Sequence, residues 1–427
     1  MASDVDLKSR AGYRTGMALH RSGDTNAARE HLLTAAETGR YPAAQKALGD
    51  IAFDAENWDE AIAHLGEYLE TEDLDTEAEA DATMRLALSH ARRADHERAA
   101  ALLAKLLDEH PDSSHAEHAR FELGQSLLLL GKPDEAEPIL AGVARNEGSR
   151  FAPHAMRWLA SIESDRGNAG RAAQLLGRAT QAGLEGGGTV ELAAALIASG
   201  SPEEAVRALE DQHDPASRAW RVIALASAGK HASASKAFHR ADLDQVDPSL
   251  ARSARYHAAQ ASRKVGDHSA AEELYREVLT GNGDLQTRQY ARVELGILLT
   301  DSRGRIEEAE SLLTDALNSE GLPPDLCAAA VYRLAGLASD QQDHRRVIDL
   351  LDPENRPCEL GDLEPSAELL LGIAFAESQR PGPAADRFEI AVRGFEDSPQ
   401  LAGTLLRLGE AQAAAQRWQA SEDTLRR

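Results

Sequence analysis

The stretch 117–140 reads EHARFELGQSLLLLGKPDEAEPIL, and the spacing within it decides the fold. Gly124 stands seven residues before Gly131, Ala136 follows that turn by five residues, and Leu140 comes four later. Small residues at 124 and 136 allow two helices to approach closely, and the large residue one turn on plugs the gap toward the neighbouring hairpin. Gly131 ends the first helix in a left-handed conformation at little steric cost. Pro133, Asp134 and Glu135 then restart a helix, with proline in its first turn and acids at the positive end of its dipole.

The same order recurs along the chain. Turn and small residue pair again at Gly23/Ala28, Gly167/Ala172, Gly200/Ala205, Gly229/Ala234, Gly266/Ala271 and Gly304/Ala309. Upstream small residues include Gly49, Gly296, Gly372 and Gly409, each after a leucine. The large residue recurs as Leu32, Leu65, Leu103, Leu176, Leu209, Phe238, Tyr275, Leu313, Leu351, Phe388 and Leu425.

This small–glycine–large order resembles the tetratricopeptide repeat, a helical hairpin of about 34 residues. The resemblance implies an all-α fold, a right-handed superhelical solenoid of antiparallel helix hairpins. About twelve hairpins are expected, beginning near Ser9, Pro42, Ala80, Glu117, Pro153, Gly186, Pro215, Arg252, Gln289, Ala328, Pro365 and Ala402. Glycine-rich GLEGGGT (183–189) marks an expected hinge between residues 1–185, with about five repeats, and 186–427, with about seven. The stretch 352–365 (DPENRPCELGDLEP) is the longest expected loop. The sequence stops inside the second helix of the twelfth hairpin without a polar cap, which leaves self-association through that end as an expectation.

With 71 acidic against 46 basic residues, a net charge of −25 argues against nucleic acid and acidic membranes as partners. No apolar run is long enough to span a bilayer, and MASDVDLKSR is not a signal peptide as it stands. A cytoplasmic location is expected, or a periplasmic or envelope one if a leader has been removed.

Catalytic signatures are missing: no Gly-x-Ser-x-Gly elbow, no dinucleotide loop, and Ala100 where a zincin string opened by His96-Glu97 needs its second histidine. No enzyme activity and no cofactor are therefore assigned. His110, His115 and His118 are the densest histidine group; the last two could share a helix face and bind a metal, but a polar turn is the plainer reading and no metal ligand is assigned. Cys327 and Cys358 fall at the same end of one hairpin. A disulfide there would imply an oxidising compartment; two unrelated thiols is the reading the sequence favours.

The tetratricopeptide resemblance implies that first helices line a concave groove where a protein or peptide partner binds. Tyr13, Lys46, Phe121, Arg157, Tyr256, Tyr332 and Leu369 fall at its inward positions, and Phe53, Gln125, Gln260 and Tyr290 lie one or two turns away. Tyrosine offers contact area and a polar tip at low entropy cost; inter-helix packing is the competing reading. The four tryptophans, Trp58, Trp158, Trp220 and Trp418, are read as structural. The carboxylate clamp of chaperone-binding members is absent, since Lys46 has Asp50 where asparagine is needed. Between Ala47 and Met84 there is no Lys or Arg, while Glu70, Glu72, Asp73, Asp75, Glu77, Glu79 and Asp81 crowd its second half. This patch could steer a basic partner segment; a solvated acidic loop and helix face is the plainer reading. The role that follows is a non-catalytic scaffold or adaptor of bacterial type, with a regulatory region of a larger signalling protein or an envelope assembly accessory as alternatives.

Overall fold

A computed structural model describes residues 2–37, 41–184, 187–280, 285–300 and 305–427, with side chains from Leu7 onward. Among these residues the chain forms α-helices, two short 3-10 turns and no strand. It divides into two compact units, Met1–Ser201 and Pro202–Arg427.

In the first unit the hairpins are α1 (Ala2–Arg21) with α2 (Thr25–Ala36), α3 (Pro42–Asp54) with α4 (Trp58–Leu69), and α5 (Thr76–Arg92) with α6 (His96–Glu109). Then come α7 (Ala116–Leu129) with α8 (Pro133–Ala144), α9 (Ala152–Asp165) with α10 (Ala169–Gln181), and α11 (Gly188–Ala198). The second unit opens with α12 (Pro202–Ala208), followed by α13 (Pro215–Ser227) with α14 (His231–Phe238) and α15 (Pro248–Lys264) with α16 (His268–Thr280). It continues with α17 (Leu285–Thr300) and α18 (Ile306–Leu317), α19 (Pro324–Asp340) and α20 (His344–Leu351), α21 (Glu364–Glu377) and α22 (Pro381–Gly394), and α23 (Leu401–Ala414) and α24 (Trp418–Leu425). Several first helices start a turn before the repeat template: α5, α15, α17 and α19 begin at residues 76, 248, 285 and 324. Asp75 and Asp247 cap the backbone there, which sets two of these earlier starts.

Within each unit every helix packs on the next in sequence. In addition, α3 touches α5 and α5 touches α7, and α13, α15, α17, α19 and α21 touch in succession; among the described residues no pair of second helices meets to that extent. First helices therefore form the tighter layer of each stack.

The small–large contact closes inside a hairpin, not toward its neighbour as the spacing suggested. A Cβ on Gly49 would lie 2.6 Å from Leu65 Cγ, and one on Gly124 would lie 2.6 Å from Leu140 Cγ. Gly296 faces Leu313, Gly372 faces Phe388 and Gly409 faces Leu425 in the same way. Gly16 against Leu32 adds a case the spacing had not singled out. Each large side chain lies flat on the bare backbone of its own partner helix.

The turn geometry is retained even where glycine is not. Gly131 and Gly167 have φ of 72° and 79°, and Glu56, Ala94, Gln342, Gln379 and Gln416 take φ between 57° and 61° at the equivalent positions. Gly304, expected at one such turn, lies outside the described residues, as do Glu185 and Gly186 of the expected hinge. A left-handed conformation costs an L-residue roughly 1–2 kcal/mol, part of which glycine loses again to backbone entropy. Gln342→Gly, at an exposed turn, is therefore expected to stabilise the α19–α20 hairpin by roughly 0.5–1 kcal/mol, seen as slower amide exchange there. Unchanged exchange would show that the turn is not strained.

The two cysteines correct the sequence reading. They are joined, with Sγ–Sγ at 2.15 Å and Cα–Cα at 6.3 Å. Helix α20 ends at Leu351, and the following segment turns back so that Leu360 is buried in the same core as Cys327. Arg356 donates to Glu364 at 2.9 Å, fixing that segment to the start of α21. This return path brings residue 358 to the start of α19, a proximity that sequence spacing does not encode.

Candidate functional site

The aromatic positions expected in a groove are mostly packed. On α15, Tyr256 is 8% exposed, and its ring lies 6.2 Å from Tyr275 and 6.0 Å from Tyr290. Its hydroxyl accepts a hydrogen bond from Gln260 Nε2 at 2.8 Å, and burial pushes its pKa well above the usual phenol value. These side chains belong to the core of the second unit. Tyr332 on α19 is half-buried and lines a small pocket of about 240 Å³ with Thr300, Arg333, Gly336 and Leu370.

In the first unit Tyr13 meets Tyr41 at 4.9 Å, and Phe53 sits edge-on to Trp58 at 5.5 Å with the Arg85 guanidinium 5.2 Å above it. Phe121 is buried against Phe151 at 5.3 Å, and Gln125 is half-buried one turn on. Lys46 Nζ donates to Asp81 at 2.6 Å and Asp50 at 2.9 Å. Burial opposes the charge on Lys46, but hydrogen bonds to these two carboxylates outweigh it and raise its pKa. Among the tryptophans, Trp418 departs from the expected packing and is 67% exposed, with Leu406 and Leu425 also exposed in the same hairpin.

The acidic stretch separates into two kinds of group. Asp75 caps α5 by accepting from Glu77 N and Ala78 N, Glu77 accepts from the Ser114 hydroxyl, and Asp81 holds Lys46. Glu79 faces His110 at 3.4 Å. Glu70, Glu72 and Asp73 are exposed and remain able to act on a partner's charge.

Arg157 lies in a wide concavity. First helices α9 and α11 stand further apart than most neighbouring first helices, as α7 and α9 also do, and a groove of about 690 Å³ opens between α9 and α11. Helix α9 supplies Arg157, Trp158, Ser161 and Ser164, helix α11 supplies Glu191, Ala194 and Ala198, and buried Leu176 of α10 forms part of the floor. Arg157 spans the groove to Glu191, with Nε at 2.9 and 2.8 Å from the two carboxylate oxygens. Both side chains are about two-fifths exposed or slightly less, so the pair adds little stability and its charges stay available. Trp158 is the groove residue missed by sequence reasoning. Its place beside Arg157 on a first helix was visible, but the small residues opposite it on α11 were not recognisable as a facing wall.

Sequence comparison matches the first third of the chain to a known repeat. A description of the tetratricopeptide repeat matches residues 13–74 and 46–114, and a second one matches residues 91–157. Residues 13–157 carry tetratricopeptide repeats. The matched stretch includes the Gly49/Leu65 and Gly124/Leu140 contacts of the tetratricopeptide hairpin and the first groove residues of α9. No curated protein matches the chain. Similar solved structures include the APC/C hetero-tetramer Cut9–Hcn1, at 15% identity and a TM-score of 0.38, covering 99% of this chain and 91% of that one. Yeast Tom70 is similar at 13% identity and a TM-score of 0.34, covering 90% and 91%. A tetratricopeptide repeat protein from Parabacteroides merdae is similar at 16% and 0.40, covering 60% of this chain and 99% of that one.

Among the described residues no helix is long and apolar enough to cross a membrane.

Proposed function

We propose that the chain is a non-catalytic scaffold or adaptor that holds a segment of a partner protein in the groove between α9 and α11. The observation that carries this reading is an apolar cleft with one charged pair on its rim. Trp158, Leu176 and the alanines of α11 offer a surface for a small or aliphatic side chain, while Arg157 and Glu191 present one charge of each sign to a partner's backbone or ion pair. Tetratricopeptide arrays typically serve protein–protein interaction, and the exposed acids Glu70, Glu72 and Asp73 suit a basic flank on the same partner.

A photo-crosslinking residue at Ser161, exposed on the groove wall, is expected to capture a defined partner in cells. The same probe at exposed Gln174 of α10 should not. Filling the cleft with Ala198→Trp should reduce capture at least about tenfold, the loss of one good anchor pocket. Equal capture from Gln174, or capture indifferent to Ala198→Trp, would remove the groove from the reading.

The envelope-located variant of this role is favoured by one observation, the Cys327–Cys358 disulfide. Such bonds persist in oxidising compartments and are rare in the cytosol. Alkylating the thiols of intact cells separates the alternatives: protein from an oxidising compartment stays unlabelled, and labelling of both cysteines would place it in a reducing one.

A further inference from the structure

Beyond the groove, one side-chain cluster remains unexplained by packing or by partner binding. His110 follows the last residue of α6, and its backbone N–H is fixed by a 2.8 Å hydrogen bond to Leu106 O. Its side chain is 10% exposed, and neither ring nitrogen has a hydrogen-bond partner among the described residues. A buried imidazole usually satisfies at least one nitrogen. Facing it is Glu79 from the first turns of α5, with Oε2 3.4 Å from His110 Nε2. Glu109, the neighbouring residue on α6, completes a set whose three ligand atoms lie within 4.8 Å of one another.

We propose that Glu79, Glu109 and His110 form a binding site for a divalent first-row transition metal of the zinc type. The donor set is one imidazole nitrogen and two carboxylate oxygens, whose two negative charges match the ion. Ligands bound at about 2.1 Å in a tetrahedron stand about 3.4 Å apart, which is the spacing already present between His110 and Glu79. Calcium is disfavoured because it needs six or more oxygens. Lys105 Nζ, 3.5 Å from Glu109 Oε2, orients that carboxylate from outside the set. The other two histidines of the group point elsewhere. His115 Nε2 faces Asp81 at 3.5 Å, and His118 stacks on Phe151 at 4.6 Å with Nε2 3.3 Å from Glu122. The bound ion would tie the start of α5 to the end of α6, closing the third hairpin at the end opposite its turn.

The test is a Zn²⁺ titration of the chelator-stripped full chain against a chromophoric competitor. One ion per chain, bound at micromolar concentration or tighter, is expected. Glu79→Gln and Glu109→Gln should each weaken binding at least about tenfold, and His110→Asn should abolish it. His118→Asn should leave it unchanged. Far-ultraviolet circular dichroism checks that each variant folds. If His110→Asn does not, Glu109→Gln decides, because that carboxylate is exposed and its loss leaves the core intact. Absence of uptake, or affinity unchanged in the folded variants, would overturn the site and leave His110 and Glu79 as a polar contact alone. Cobalt substitution gives a second reading: an intense visible band reports four or five ligands, and a weak octahedral spectrum counts against the geometry.

Discussion

Replacing Phe388 by alanine is expected to destabilise the α21–α22 hairpin by about 3–5 kcal/mol, the usual cost of emptying a buried aromatic site. Phe388 is 2% exposed, and its ring lies where a Cβ on Gly372 would come within 2.6 Å of two ring carbons. Glycine at 372 leaves bare backbone, so no neighbouring side chain on α21 can swing in to fill the space left by the ring. The cavity should therefore persist rather than collapse. Because a repeat array is only locally cooperative, the effect is to be read by amide exchange in α21 and α22, with α1–α11 unchanged. The converse substitution, Gly372→Ala, should cost roughly 1–3 kcal/mol by forcing the ring off its seat. Protection that survives Phe388→Ala would mean that the hairpin is held by its neighbours and not by its own internal contact.

Breaking the disulfide is expected to have an effect of similar size by a different route. Cys327 and Cys358 are separated by 31 residues. In the chain-entropy account, opening a loop of that length returns about 3–4 kcal/mol of freedom to the unfolded chain. Cys358→Ser should destabilise the second unit by about that amount, seen as a lower denaturation midpoint, and expose Leu351 and Leu360 to exchange, both of which are buried in the intact core. Reductant should do the same to the parent protein and nothing further to the variant. A midpoint that ignores both would show that Arg356 and the 3-10 turn at Gly361–Leu363 suffice to hold the segment.

Much of the fold was legible because the signal is local. Gly124 and Leu140 are sixteen residues apart on adjacent helices of one hairpin, and the contact between them leaves a fixed spacing in the sequence. The left-handed turns at Ala94 and Gln342 lack glycine and were not among those the glycine spacing singled out. The site was less legible, because a groove depends on the spacing between hairpins. Arg157 was placed correctly on a first helix, but nothing in the sequence says that a groove opens between α9 and α11. Tyr256 carries the same register as Arg157, yet its ring turns inward to Tyr275 and Tyr290, since a large apolar ring beside other rings gains more from burial than from solvent. His110 was grouped with its sequence neighbours, whereas its partners come from α5 and from the end of α6.

The contact between glycine and large side chain has one more consequence. Because it closes within a hairpin, a hairpin brings its own complement with it and asks little of the surface beside it beyond an apolar stripe. A gene segment encoding one such cassette could be duplicated or lost without compensating change elsewhere, so variation in repeat number, rather than in repeat interior, is the route by which a lineage of such chains would lengthen or re-space its binding surface.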